Sequence, residues 1–180
     1  MIRRVEESGF SPSWLYNVGA QGGLHRWSRA SSSGERSEGD FGLSASVEVG
    51  LRLSDHLGFV ALGGGSWTLM AESPATTAGG VVVSPASSNN GLLASVGLGL
   101  RVDHVGPLTG HFTLAGAGTF GSIVSGSDKV PSLSLSGGSV FAGYTQPLNG
   151  ALGADVKLAW HFLNQDFSLL VLSAGISFGN

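Results

Sequence analysis

The stretch Phe41-Gly42-Leu43-Ser44-Ala45-Ser46-Val47-Glu48-Val49-Gly50-Leu51-Arg52-Leu53 decides the fold. Every odd position in it is apolar, and every even position is small, polar or charged. Helical side chains repeat every 3.6 residues, whereas strand side chains alternate between two faces. Unbroken alternation over this length predicts a strand whose faces meet different surroundings. Outward from this segment the same pattern recurs. Leu92, Ala94, Val96, Leu98, Leu100 and Val102 oppose Leu93, Ser95, Gly97, Gly99, Arg101 and Asp103. Leu152, Ala154, Val156, Leu158, Trp160 and Phe162 oppose Gly153, Asp155, Lys157, Ala159 and His161.

Five further segments follow the rule less strictly. Trp14, Tyr16, Val18, Ala20 and Leu24 share a face in the first. Phe59, Ala61, Trp67 and Leu69 do so in the third, with Val60 and Leu62 opposite. Leu108, Phe112, Leu114 and Phe120 mark the fifth. Leu170, Leu172, Ala174, Ile176 and Phe178 mark the last. The sixth changes parity, from Leu133 and Leu135 to Val140, Ala142 and Tyr144, and a β-bulge near Gly137-Gly138 would reconcile the two halves. Eight strands result. Long connections (His25 to Asp40, Ala71 to Asn90, Ser122 to Ser132) alternate with tight ones at Ser54-Asp55-His56, Asp103 to Pro107 and Gln146 to Gly150. Leu163 to Asp166 falls on the long side but is short. Such alternation fits an up-and-down antiparallel barrel with long loops on one rim.

Composition says which face lies inside. Of 180 residues, 30 are glycine and only 12% are charged, with a mean hydropathy of +0.24. Soluble domains carry about 25% charged residues, and a solvated outer face would need many more Lys and Glu than these polar faces supply. An eight-stranded lumen is just wide enough to fill with side chains, which suits Gly, Ser, Ala and Thr. Leu, Val, Phe and Trp then face lipid. No run reaches the ~18 apolar residues of a membrane helix. The expected fold is all-β, an eight-stranded transmembrane barrel over residues 13–180, preceded by a polar lead-in over 1–12. Met1 to Glu7 has no apolar stretch behind its two arginines. It does not read as the secretory signal peptide that an outer-membrane protein needs.

Trp14, Tyr16, Trp67, Trp160, Phe162 and Phe178 fall near strand ends, as an interfacial aromatic girdle would. In pattern and architecture, residues 13–180 resemble the small outer-membrane barrels of the OmpA, OmpX and OmpW type. The resemblance implies residence in a bacterial outer membrane, contact with membrane lipid and assembly by the barrel-assembly machinery. It also implies that an aromatic residue near the end, here Phe178, is read by that machinery, although Gly179 and Asn180 follow it. A monomer is expected.

Six charges fall on the inward faces: Glu48, Arg52, Arg101, Asp103, Asp155 and Lys157. Buried charges must pair, so an ion-pair plug is expected, centred on Glu48, Arg101, Asp155 and Lys157. No enzyme, cofactor, metal or nucleic-acid partner is expected. The net charge of −3 lacks a basic face. There is no cysteine, and the five histidines show neither HxH nor HExxH spacing. Gly116-Ala117-Gly118-Thr119-Phe120-Gly121 spells a dinucleotide fingerprint but sits in a strand without a following helix. Gly63-Gly64-Gly65-Ser66 lacks the lysine of a phosphate loop. His111 and Thr113 share an inward face, where a lipid hydrolase could not use them. The first long loop, with Arg26, Arg29, Glu35, Arg36, Glu38 and Asp40, is the most charged segment and a candidate contact surface. The expected role is structural or surface-interacting, around a lumen filled with side chains. The alternatives are a channel or carrier for apolar compounds, and a soluble lipocalin-like barrel with an internal ligand.

Overall fold

A computed structural model describes residues 13–29, 36–73, 76–78, 81–84, 87–104, 109–125 and 132–179. The lead-in over 1–12, and the sequence-level assignment of Leu108, lie outside them. Eight strands build the barrel: β1 (Trp14–Arg29), β2 (Arg36–Arg52), β3 (Leu57–Ser73), β6 (Ser87–Asp103), β7 (His111–Ser125), β8 (Leu133–Asn149), β9 (Leu152–Leu163) and β10 (Phe167–Gly179). Between β3 and β6, β4 (Thr76–Ala78) and β5 (Val81–Ser84) form a small separate hairpin. All barrel neighbours are antiparallel, and the sheet closes in the order β1-β10-β9-β8-β7-β6-β3-β2. The closing seam pairs β1 with β10 from Asn17↔Gly179 to Arg29↔Phe167.

The faces are arranged as in a membrane barrel. Leu24, Val96 and Leu114 point outward with 67%, 66% and 66% of their surface exposed, whereas Asn17, Glu48 and Asp155 are buried inside. In water this arrangement would expose most of the large apolar side chains and bury charged ones such as Glu48 and Asp155, against the hydrophobic effect. In lipid it satisfies both faces, and closure leaves no unpaired strand edge. The lipocalin-like alternative, which needs the opposite facing, is excluded.

Strand pairing fixes the tilt. Asn17 pairs with Glu48, then in turn Leu62, Gly97, Ala117, Ser139, His161, Leu169 and finally Trp27. One circuit therefore displaces the register from 17 to 27, ten residues. With ~3.3 Å per residue and ~4.8 Å between strands, this is a tilt of about 40°. A strand of 17 residues such as β2, β3, β6 or β8 then rises roughly 42 Å, against an apolar band of about 25 Å. The excess lies on the long-loop side. There the outward face turns polar above Leu24, at Arg26 and Ser28, and on β8 at Ser134 and Ser136.

Two expectations about irregular places are settled differently. β8 has no bulge at Gly137-Gly138, since its pairing with β7 is continuous from Leu133 to Thr145. The parity change arises because Leu135 is an inward apolar residue, 3% exposed. The irregularity of β8 lies instead between Pro147 and Asn149, where proline has no N–H to give. The short connection Leu163 to Asp166 is explained by a two-residue hairpin. Gln165 and Asp166 both have left-handed backbones (φ 57° and 61°), and the Phe167 amide donates to the Asn164 carbonyl. That is the mirror-image turn whose twist matches an antiparallel pair.

Candidate functional site

The lumen is stratified along the barrel axis. At its long-loop end lies an apolar plug of Trp27, Met70, Leu93, Leu135, Leu163 and Leu169, with Ala159 and Val171 beneath. Ile123, Leu133, Phe141 and Phe167 pack against it. These side chains come from seven of the eight strands and meet at one height because of the ten-residue register displacement. Near this level His25 Nδ1 and Thr68 Oγ1 are 2.6 Å apart. The imidazole lies on bare backbone, for a Cβ at Gly42 would fall 2.3 Å from it.

Below the plug the lining turns polar. Ser95, Thr119 and Ser139 form a hydroxyl ladder with steps of 2.9 and 2.8 Å, reaching His161 Nδ1 at 3.4 Å. Phe141 meets the His161 ring edge-on, with centroids 5.6 Å apart. A cavity of about 80 Å³ sits here, lined by Gln21, Ser46, Glu48, Phe141 and Lys157 among others. Lys157 crosses it from β9 to β2. Its Nζ donates to Ser46 Oγ at 2.5 Å and lies 3.5 Å from Glu48 and 3.9 Å from Asp155. Gln21 and Ser177 donate to the two Asp155 oxygens at 3.0 and 2.9 Å, and Thr113 donates to Glu48 at 3.2 Å. Gly19 makes room, since a Cβ there would fall 2.3 Å from the Gln21 amide and 2.7 Å from Asp155.

Nearer the short turns is a second charged group. Arg101 Nε donates to Asp103 at 2.8 Å, and Arg52 approaches the other carboxylate oxygen at 3.4 Å. The six inward charges foreseen from the sequence are thus all luminal but fall into two trios. Arg101 pairs with Asp103 near the short-turn mouth, and Glu48, Asp155 and Lys157 meet further in. Arg52 and Asp103 are ion-paired at the mouth.

The girdle residues lie on the outer face in two belts. Trp14, Tyr16 and Phe178 stand at the short-turn end, as do Phe112 and Tyr144, whose tilted rings are 4.6 Å apart. Trp67, Trp160 and Phe162 stand at the long-loop end, the last two 4.7 Å apart. The sequence reading missed the apolar plug. Its signal was present, because Trp27, Leu93, Leu135, Leu163, Leu169 and Val171 share the parity of the polar face. Among the described residues no group of three or more metal-ligating side chains converges. Gly116 and Gly118 lie on the outer face of β7, with no turn to hold a nucleotide. Of the charged first loop, Arg26 is exposed on the outer face; Glu35 lies outside the described residues.

No protein-family model matches the sequence, and no curated protein matches it either. Solved structures do match. Ail, the attachment invasion locus protein of Yersinia pestis, superposes with a TM-score of 0.59 at 12% identity, covering 91% of this chain and 98% of that one. The same protein solved with the heparin analogue sucrose octasulfate gives 0.57 at 11% identity, covering 92% and 99%. Neisserial surface protein A gives 0.56 at 15% identity, covering 91% and 96%. A closed eight-stranded barrel that superposes on these over nearly its full length, the chain has the fold of the small eight-stranded outer-membrane β-barrels.

Proposed function

We propose that this protein is a non-conducting, monomeric barrel of the bacterial outer membrane, working through the part of the sheet and loops that stands outside the lipid. The observation that carries this is the apolar plug. Trp27, Leu93, Leu135 and Leu169 are each 5% exposed or less, and they occupy the end of the lumen that a solute would have to cross. An ion entering that level would shed its hydration against hydrocarbon, at a cost of several kcal/mol. The sheet meanwhile extends well beyond the lipid band on the same side. The small β4-β5 hairpin lies between β3 and β6 on that side, where β1 also ends and β2 begins. Binding residues commonly sit on such loops over a rigid scaffold. Similarity of fold to an attachment protein is in keeping with this role.

Two measurements test it. Refolded into liposomes, the native protein is expected to pass neither ions nor small sugars. The triple variant Trp27→Ala, Leu135→Ala, Leu169→Ala is expected to leak. Solute flux through the native protein would refute the closed lumen and favour the channel reading. Cells displaying the native barrel are expected to bind immobilised heparin or a protein-coated surface better than cells whose segments 28–37 and 74–86 are replaced by short turns. Equal binding to every surface would leave the outer rim without a role.

A further inference from the structure

The lipid-facing belt is uneven around the barrel, a feature that the proposed attachment role does not use. In the closed order of strands, three separate β2 from β8 in either direction, so the two form opposite walls. On β2 every outward residue from Phe41 to Leu53 is apolar. The outward face of β8 is polar at Ser134 and Ser136. It is apolar only from Gly138 through Val140, Ala142 and Tyr144, and turns polar again at Gln146. Leu148 lies past the break in pairing after Pro147 and belongs to the turn. At a tilt of about 40° each residue climbs roughly 2.5 Å. The apolar wall is therefore about 30 Å tall on β2, from Phe41 to Leu53, and about 15 Å on β8, from Gly138 to Tyr144. Other strands grade between these. The wall is about 30 Å on β3 (Leu57 to Leu69), about 25 Å on β9 (Leu152 to Phe162) and about 20 Å on β7 (Phe112 to Phe120).

The polar ends of β8 are tied down. Asn164 holds Ser136 through both its main chain and its side chain. At the other end Tyr144 Oη donates to Gln146 Oε1, and Gln146 Nε2 donates to Thr109 Oγ1 at 2.9 Å. No flat hydrocarbon layer fits both walls. One matched to β2, about 30 Å, would draw Ser136 and Gln146 into hydrocarbon, where polar groups lose their water. One matched to β8 would leave Phe41 and Leu53 in water. Tilting the barrel moves both ends of a wall together and cannot shorten it. Lipid can shorten, because chains beside a short apolar wall disorder and thin the layer. Gly116 and Gly118 on β7 and Gly138 on β8 also leave few outward side chains there to hold extended acyl chains.

We infer that the bilayer tapers across this barrel, and that the β7–β8 wall is a contact surface for locally thinned lipid whose headgroups reach Ser136 and Gln146. The inference rests on the membrane-barrel fold and not on the attachment role. The chain has no cysteine, so a single introduced one is labelled uniquely. Val47→Cys and Ala142→Cys each stand near the middle of their own apolar wall, and the register places them within roughly 3 Å of the same height. The full chain carrying a nitroxide at either site is refolded into dimyristoylphosphatidylcholine vesicles, with folding checked by gel mobility. Label depth is read from collision rates with oxygen and with a water-soluble nickel chelate. The label at Ala142 is expected to lie roughly 5 Å shallower than the one at Val47. Adding Ser136→Leu and Gln146→Leu lengthens the β8 wall at both ends and is expected to bring the two depths together. Equal depths without those changes, or a difference that the lengthened wall leaves intact, would overturn the taper without touching the attachment reading.

Discussion

At the scale of single residues, Lys157 is the side chain whose loss should cost most. It lies between two buried carboxylates, Glu48 and Asp155. Removing one partner of a buried ion pair leaves an uncompensated charge, at about 3–5 kcal/mol. Lys157→Met is therefore expected to lower the unfolding free energy in micelles by that amount, read from urea titration. The effect should shrink when Glu48→Gln is added, because the orphaned charge is then gone. Gly42→Ala is expected to destabilise by about 1–3 kcal/mol, since its methyl would overlap the His25 ring. Gly63→Ala is the control. A Cβ there meets only the Ser95 carbonyl, at 4.0 Å, and a change within about 0.5 kcal/mol is expected. That the six charges face inward was legible from parity alone. How they group was not. Arg101 and Glu48 sit on different strands, and which inward residues share a height depends on the register displacement around the closed sheet. No local pattern encodes that closure.

At the scale of elements, the strands were the most legible part and the connections the least. Alternation located all eight strands, because one face meets lipid and the other a crowded interior. It stopped short of the polar strand ends, where β1 runs on to Arg29 and β2 begins at Arg36, and it failed where both faces are apolar. On β8, Leu135 broke the alternation because it belongs to the plug, and an inward leucine cannot be told by parity from an outward one displaced by a bulge. The Asn164–Phe167 turn was recognisable as short but not as a mirror-image turn, since it has no glycine and Gln165 stands where Asn, Asp or Gly is usual. A left-handed conformation costs an ordinary residue roughly 1–2 kcal/mol, so Asp166→Gly is expected to stabilise the barrel by about 1 kcal/mol. The check is the urea midpoint at unchanged slope. The main-chain amide of Asn164 also donates to the Ser136 carbonyl, and its side chain accepts from the Ser136 amide. The turn is thereby tied to the part of β8 that stands above the lipid, and Asn164→Ala is expected to raise hydrogen exchange at Ser136.

At the scale of the whole molecule, the facing of the sheet predicts where the protein is soluble. Unboiled barrel in dodecyl sulfate is expected to migrate differently from boiled chain, and in detergent-free buffer the protein should precipitate. A monodisperse soluble species would contradict the membrane assignment. The β1–β10 seam, thirteen pairs from Asn17↔Gly179 to Arg29↔Phe167, reaches further, into how the chain comes to be folded. The first strand can find its second neighbour only when the last has been made. Until then the sheet has two edges whose amides and carbonyls lipid cannot satisfy. Folding and insertion must therefore be one event, with no half-assembled stage that persists in the bilayer. Refolding and unfolding curves should not superpose within hours, the signature of hysteresis behind a high barrier. A chain ending at Asn164 should aggregate where the full chain inserts.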